Sequence, residues 1–517
     1  MISHRELFNK LRDDSVVARC VQYAHWTLPQ LMANYADHRG NSRVSVERDW
    51  QAIGALLVNN LSSKLARLLF PVSTPFFKIE ASEKLKSAAA DAGKGTELDS
   101  QLANLELKAS QRLFLNGSYA QLILALKHLV CTGNVLMYRD ASDAESRTYG
   151  LQSFGIRRDG KGHMLDCVLR ESTYVEALAW DVQKALRDKE KAKYSRPEAE
   201  VELYTRIHRK VMESGVVYEV TQQVDTIPIG EPSTYPQHLC PWHAPTWSLI
   251  LGEHYGRGHV EDFAGDFARI SDMSEAGALY SIELMRVLHL VSSGSGTDID
   301  DIANAETGEY VRGDPDTVKA YESGDAQKLR AVDERIDAVM SRLSRAFMYT
   351  GNTRDAERVT AYELQKLAEE AEYTLGGNYS SLSAGIQVPL AAVLLTEENP
   401  SALEGLVTGD LKLNIKAGIP ALGRSSEVQN LALAVQESAA IVQPLIQIDQ
   451  RFDPAKLVDL IMAGRSVDVK ALHLSEKQQL ELKKAMQQQQ QGQQQITDAQ
   501  GTAAAADQLQ QMTATGA

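Results

Sequence analysis

The pattern of apolar positions predicts helices at both ends of the chain and strands between them. From Trp50 to Phe70, Ile53, Leu57, Leu61, Leu65 and Leu68 recur at helical spacing and Pro71 follows, so an amphipathic helix is expected to stop there. A second helix is predicted over residues 101–131, where ILALKHLVC is apolar on nearly every side and so belongs between layers. Gly133 and Asn134 end it. From Val135 to about Thr226 the periodicity changes to that of strands: VLMYRD, then SFGIRRDGKGHMLDCVLRE around a turn at Asp159 to Gly162, then VELYTRIHRK and VVYEVTQQV around Ser214-Gly215. A charged helix over residues 172–193 is expected to interrupt them. Pro228, Pro232, Pro236, Pro241 and Pro245 then read as a turn-rich stretch, with a boundary near residue 245.

Beyond that boundary the chain reads as mostly helical. Residues 261–290 carry a long apolar stripe through Phe263, Phe267, Ile270, Leu279, Ile282, Met285 and Leu288. The polar segment SSGSGTDIDDIANAETGEYVRGDPD breaks it and predicts an exposed loop or short β element. A second helix resumes near Gln327, with Leu329, Val332, Ile336, Val339, Met340, Leu343 and Phe347 on one face. After a polar break at Gly351 to Arg354, Thr360-Ala361-Tyr362-Glu363 reads as a capping box, and Gly376-Gly377 stops the helix it starts. Further helices are expected near residues 383–395, 428–448 and 454–462. From Leu480 the run QQQQQGQQQ and the segment TAAAAD are low in complexity and predict a disordered tail.

Composition narrows the class. A chain of 517 residues exceeds one compact core, and 44% hydrophobic with 6% aromatic residues fits a globular, helix-rich protein. Cys20, Cys131, Cys167 and Cys240 are far apart and never in a C-x-x-C pair, which argues against a disulfide framework or thiolate metal site. The first twenty residues are charged, and no window is expected to supply the roughly 18 apolar residues of a membrane span. A net charge of -14 argues against tight neutralisation of nucleic-acid phosphates but does not exclude contact with DNA confined to a few basic residues.

Catalytic motifs are missing. There is no G-x-x-x-x-G-K-[ST], no G-x-S-x-G and no H-E-x-x-H, and Gly93-Lys94-Gly95-Thr96 reads as a polar loop. His254 and His259, with nearby carboxylates, are read as turn and helix-start residues, and Asp298, Asp300 and Asp301 as a solvated loop, so neither metal nor cofactor is expected. TGNTRDAER projects Arg354 and Arg358 between two strong helices; from the residues alone it is an ordinary surface turn.

Six stretches, in order, resemble the portal proteins, or head-to-tail connectors, of short-tailed bacteriophages of the autographivirus type. They are WQAIGALLVNNLSSKLARLLFP, LKHLVCTGNVLMY, YPQHLCPW, GEHYGRGHVEDFAGDF, TGEYVRG and ERVTAYELQKLAEEAEYTLGGNYSSLS, within residues 20–465. The resemblance implies an α+β, predominantly helical portal fold assembled as a ring of 12 subunits. Its parts would be an α/β wing (1–260), a two-helix stem (261–290 and 327–349), a small clip (291–326), a tunnel loop (350–358), a wing return helix (359–400), a helical crown (401–479) and the tail (480–517). Asn352, Thr353, Arg354 and Arg358 would face DNA, diluted by Asp355 and Glu357, and Glu309, Tyr310, Val311 and Arg312 would dock partners. The implied partners are the terminase large subunit, tail adaptor and tail tube proteins, major capsid and scaffolding proteins, internal core proteins, and double-stranded DNA bound without sequence preference, with no membrane. The implied place is the virion at one capsid vertex, after assembly in the host cytoplasm. Two rival readings are another ring or adaptor of the tail, and a packaging ATPase or nuclease subunit; the latter would need a phosphate loop or a carboxylate metal cluster.

Overall fold

The computed structural model describes residues 2–33, 47, 49–72, 75–91, 95–142, 144–213, 215–225, 227–292, 298–322, 325–349, 370–371 and 373–415, with positions 435, 436 and 458. The chain divides into two compact units, residues 1–423 and 424–517, and the architecture that follows is that of the first. The expected tunnel loop, the capping box at Thr360, most of the crown and the whole tail lie outside the described residues.

The predicted helix at residues 50–70 forms as Ile53–Leu69, with Leu57, Leu61 and Leu65 wholly buried. It packs on a second core helix, Ser118–Thr132. The single helix predicted over 101–131 is instead two, Gly95–Arg112 and Ser118–Thr132. Asn116 and Gly117 between them are both left-handed, at φ 52° and 70°. Asn-Gly is a turn dipeptide, and its chemistry overrides the apolar count on either side.

The predicted strands form an antiparallel five-stranded meander, in spatial order Phe154–Arg158, Met164–Tyr174, Glu200–Met212, Gly215–Val224 and Ile227–Pro236. The last of these corrects the sequence reading, because Pro228, Pro232 and Pro236 lie on a strand rather than in a turn-rich boundary. It is an edge strand, where a missing N–H costs no ladder bond. The expected helix over 172–193 starts later, at Trp180, since the second strand continues to Tyr174. That helix, Trp180–Lys189, and the turn Lys191–Tyr194 after it close a small core of their own with the sheet, from Val175, Leu186, Tyr194, Val201, Val224 and Ile227.

The glycines of CTGN and GRGH dock the two halves of the body on each other. A Cβ on Gly133 (φ 75°) would stand 2.3 Å from the Arg257 carbonyl carbon, and one on Gly258 would stand 2.7 Å from the Cys131 carbonyl oxygen. Asn134 locks the contact, accepting from Gly256 N–H and donating to Gly256 C=O, both at 2.7 Å.

After the segment 350–369 the chain builds a helical run of Asn378–Leu382, a π turn at Ser383–Gln387 and Val388–Glu398. Contrary to the sequence reading, Asn378–Glu398 does reach the length and hydropathy of a membrane span. Yet 67% of its apolar window is buried, with Ala391, Leu394 and Leu395 fully enclosed, as in a core helix.

Candidate docking tip and the helical pair that carries it

Two antiparallel helices, the outgoing Ala264–Leu284 and the return Ala326–Ala346, leave this body together. The outgoing helix stops earlier than its stripe predicted. Leu288 and Leu290 belong to a strand, Val287–Val291, paired with Val318–Glu322. The run VLHLV, bounded by β-branched valines, satisfies a ladder better than another helical turn.

The base of the pair is fixed by aromatic packing. His259 is buried and its Nε2–H donates to the Ala346 carbonyl at 3.0 Å, while its ring lies 4.6 Å from Phe347 and 5.3 Å from Trp247. Burial holds the imidazole below its ordinary range, so it stays neutral. Phe267 meets Phe347 edge to face at 5.6 Å. One step up, Arg342 clasps Asp266 with both Nε, at 2.7 Å, and a terminal nitrogen. Gly277 faces Val332 across the pair, where a Cβ would stand 3.6 Å away in ordinary van der Waals contact. Farther out, the Tyr280 hydroxyl accepts from the Asp325 N–H at 2.6 Å, and Asp325 Oδ1 caps the return helix by accepting from Gln327 N–H.

Cover is lost with distance from the body. Phe267 and Ile270 are fully buried, but farther along the same stripe Leu279, Ile282 and, at the helix end, Met285 are 51%, 65% and 77% exposed. An apolar stripe bare along the outer two turns marks an interaction surface.

The tip carries the residues expected to dock partners. Glu309, Tyr310, Val311 and Arg312 are exposed and lie in irregular backbone between the short helix Ile299–Asn304 and the strand Val318–Glu322. Gly308, at φ 95°, turns the chain, and Glu309 closes the loop by accepting from Glu306 N–H at 2.9 Å and donating its own N–H to Glu306 C=O at 3.0 Å. Tyr310 has no cover at all. Asp298, Asp300, Asp301, Glu306, Glu309, Asp314 and Asp316 make the tip acidic, with Arg312 the one cation of residues 298–316.

Asp298 and Asp314 serve as caps for the turns that follow them, accepting from the N–H groups of Asp300 and Asp316. His254 Nδ1 accepts from the Arg158 N–H and His259 starts a helical turn. Among the described residues no group of three or more His, Cys, Asp or Glu side chains comes together as a metal ion needs. Asn352, Thr353, Arg354 and Arg358 lie outside the described residues. What the sequence hid is the base: nothing in its pattern marks His259, Asp266 or Tyr280 as the ties that aim the pair.

With this geometry in place, comparison with known proteins is informative. Residues 3–472 match the family described as bacteriophage head to tail connecting protein. The chain is 43% identical to the portal protein of Pseudomonas phage phiKMV over 91% of each sequence. It is 31% identical to that of Enterobacteria phage SP6, over 83% of this chain and 81% of the relative. It is 29% identical to that of Escherichia phage T7, over 92% and 88%.

Proposed function

This chain belongs to the bacteriophage head-to-tail connecting proteins, the portal family, and on that premise we propose that it forms a twelve-subunit ring at one capsid vertex, through which double-stranded DNA enters and leaves the head. The observation that carries the reading is the family match, which spans both the body and the helical pair. The bare stripe of Leu279, Ile282 and Met285 supports the ring, because burying such a stripe against an identical neighbour is what a heterologous, closing contact does.

In this reading the exposed tip from Glu309 to Arg312 docks first the terminase motor and then the tail adaptor and tube proteins. The body meets the capsid, scaffolding and internal core proteins. Hydrolysis of ATP belongs to the motor, and the ring contributes shape. The segment at residues 350–358 contacts DNA through Arg354 and Arg358, with Asn352 and Thr353 as polar support. Phosphate contact needs only charge, so it reads no sequence. An overall charge of -14 keeps the rest of the wall from gripping.

The test is a charge reversal, Arg354→Glu with Arg358→Glu, assayed by complementation. Rings should form, while DNA packaging or retention falls. Normal DNA filling by this double variant would sink the assignment.

A further inference from the structure

Just past the return helix, at Phe347 and Met348, the chain meets helix Ile53–Leu69 of the body. The return helix ends abruptly. Met348 is left-handed at φ 53°, uncommon for a residue other than glycine, so its carbonyl leaves the helical direction. Helix Ile53–Leu69 supplies the donors for that end. Asn60 Nδ2 donates to the carbonyls of Phe347 and Met348 at 3.2 and 3.3 Å, and Lys64 Nζ donates to the Met348 carbonyl. With the bond from His259 to Ala346, three successive carbonyls are taken by side chains of the body.

Glu370 lies near enough to Lys64 to favour its charged form, against the burial that lowers its pKa. Farther along, Gln387, 2% exposed within the π turn, donates to the Leu69 carbonyl at the end of the same helix. Leu57, Leu61 and Leu65 already hold this helix in the core, and apolar packing has no direction. Asn60 and Lys64, one turn apart, add direction, because each bond fixes where a carbonyl points.

We propose that Asn60 and Lys64 are positioning residues for DNA passage: they pin the chain where it leaves for residues 350–369, with Gln387 holding the returning helix to the same support. The inference rests on the reading of residues 350–358 as the DNA contact. Every subunit then presents that segment from the same point, as a symmetric channel requires.

The test uses full-length rings in heads packaged by complementation, with Lys64→Met, Asn60→Ala, Lys64→Arg as the conservative variant, Leu65→Ala as a core lesion on the same helix, and the Arg354→Glu, Arg358→Glu pair in parallel. Lys64→Met and Asn60→Ala should assemble rings that lose most of their DNA-filled heads, and Lys64→Arg should restore filling. Leu65→Ala should lower the melting temperature more than Lys64→Met while costing less filling. Wild-type filling by both Lys64→Met and Asn60→Ala, with the arginine pair defective, overturns the clamp alone. Normal filling by the arginine pair overturns the reading beneath it. Equal failure of Lys64→Arg and Lys64→Met, or loss of rings in Lys64→Met where Leu65→Ala still assembles, assigns Lys64 to packing and also overturns the proposal.

Discussion

Arg139 and Glu397, 258 residues apart in sequence, meet at 2.7 Å with 4% of each side chain exposed. Arg139 also donates to Ser118 Oγ and Ser146 Oγ, both at 2.8 Å, and Arg112 closes on Glu397 from the other side at 3.0 Å. The network ties the helix that follows residues 350–369 to the strand and helices of the body. Removing one partner leaves a buried charge without compensation. Glu397→Ala should therefore cost about 3–5 kcal/mol, and Glu397→Gln, which keeps an acceptor, should cost less. Denaturant midpoints check this, and a loss of under about 1 kcal/mol, as for an exposed pair, would contradict it.

Acid should weaken the body in a defined window. Burial lowers His128 to about 4, and Nδ1 of this ring has no hydrogen-bond partner. The folded pKa lies below the unfolded value of 6.5, so the unfolded chain binds the proton first. Stability is therefore full above pH 6.5 and is lost as the pH falls from there towards 4. The loss at the acid end should be on the order of 3 kcal/mol for this group. His128→Leu should flatten that part of the profile in denaturation measured from pH 8 to pH 4.5, and an unchanged slope would count against burial as the cause.

The glycine contact between the two halves of the body gives a sharper lesion. Gly258→Ala drives a methyl group into the Cys131 carbonyl, backbone against backbone, and should cost about 1–3 kcal/mol or more. Gly265→Ala, where a Cβ meets nothing within 4 Å on an exposed helical turn, should be neutral or stabilising. Melting temperatures of the two variants side by side decide the matter, and equal values would refute the close approach.

Much of this body was legible in the sequence because its signals are local. Leu57, Leu61 and Leu65 declare a buried helical face, Asp159 to Gly162 declare a hairpin that formed as expected, and the runs VELYTRIHRK and VVYEVTQQV pair antiparallel, though Ser214 between them lies outside the described residues. The misreadings came where a short-range rule met a wider context. Asn116-Gly117 split a helix that periodicity joined, and three prolines sat in a strand because that strand is an edge. The outgoing helix and its partner were visible as stripes, but the change from helix to strand beyond Leu284 was not. The tip residues came forward only through resemblance, since TGEYVRG has no pattern that distinguishes a docking surface from a loop. The carbonyl clamp was invisible, because Asn60 and Lys64 look like ordinary polar positions of a helix and their partners lie more than 280 residues away.

A single charge on the outgoing helix should separate folding from assembly. Ile282 is 65% exposed in the subunit, so Ile282→Glu should change subunit stability by no more than about 0.5 kcal/mol. Buried against a neighbour, the same carboxylate would be unpaired and should block association. Sizing and circular dichroism together check this, and rings formed normally by Ile282→Glu would remove the stripe from the contact.

The central claim is that identical copies of this chain close around a channel, and an electron micrograph of the purified full-length protein tests it most directly. Class averages should show rings of twelve subunits with a central hole wide enough for a DNA duplex. Monomers at high concentration, or closed particles without a hole, would contradict it.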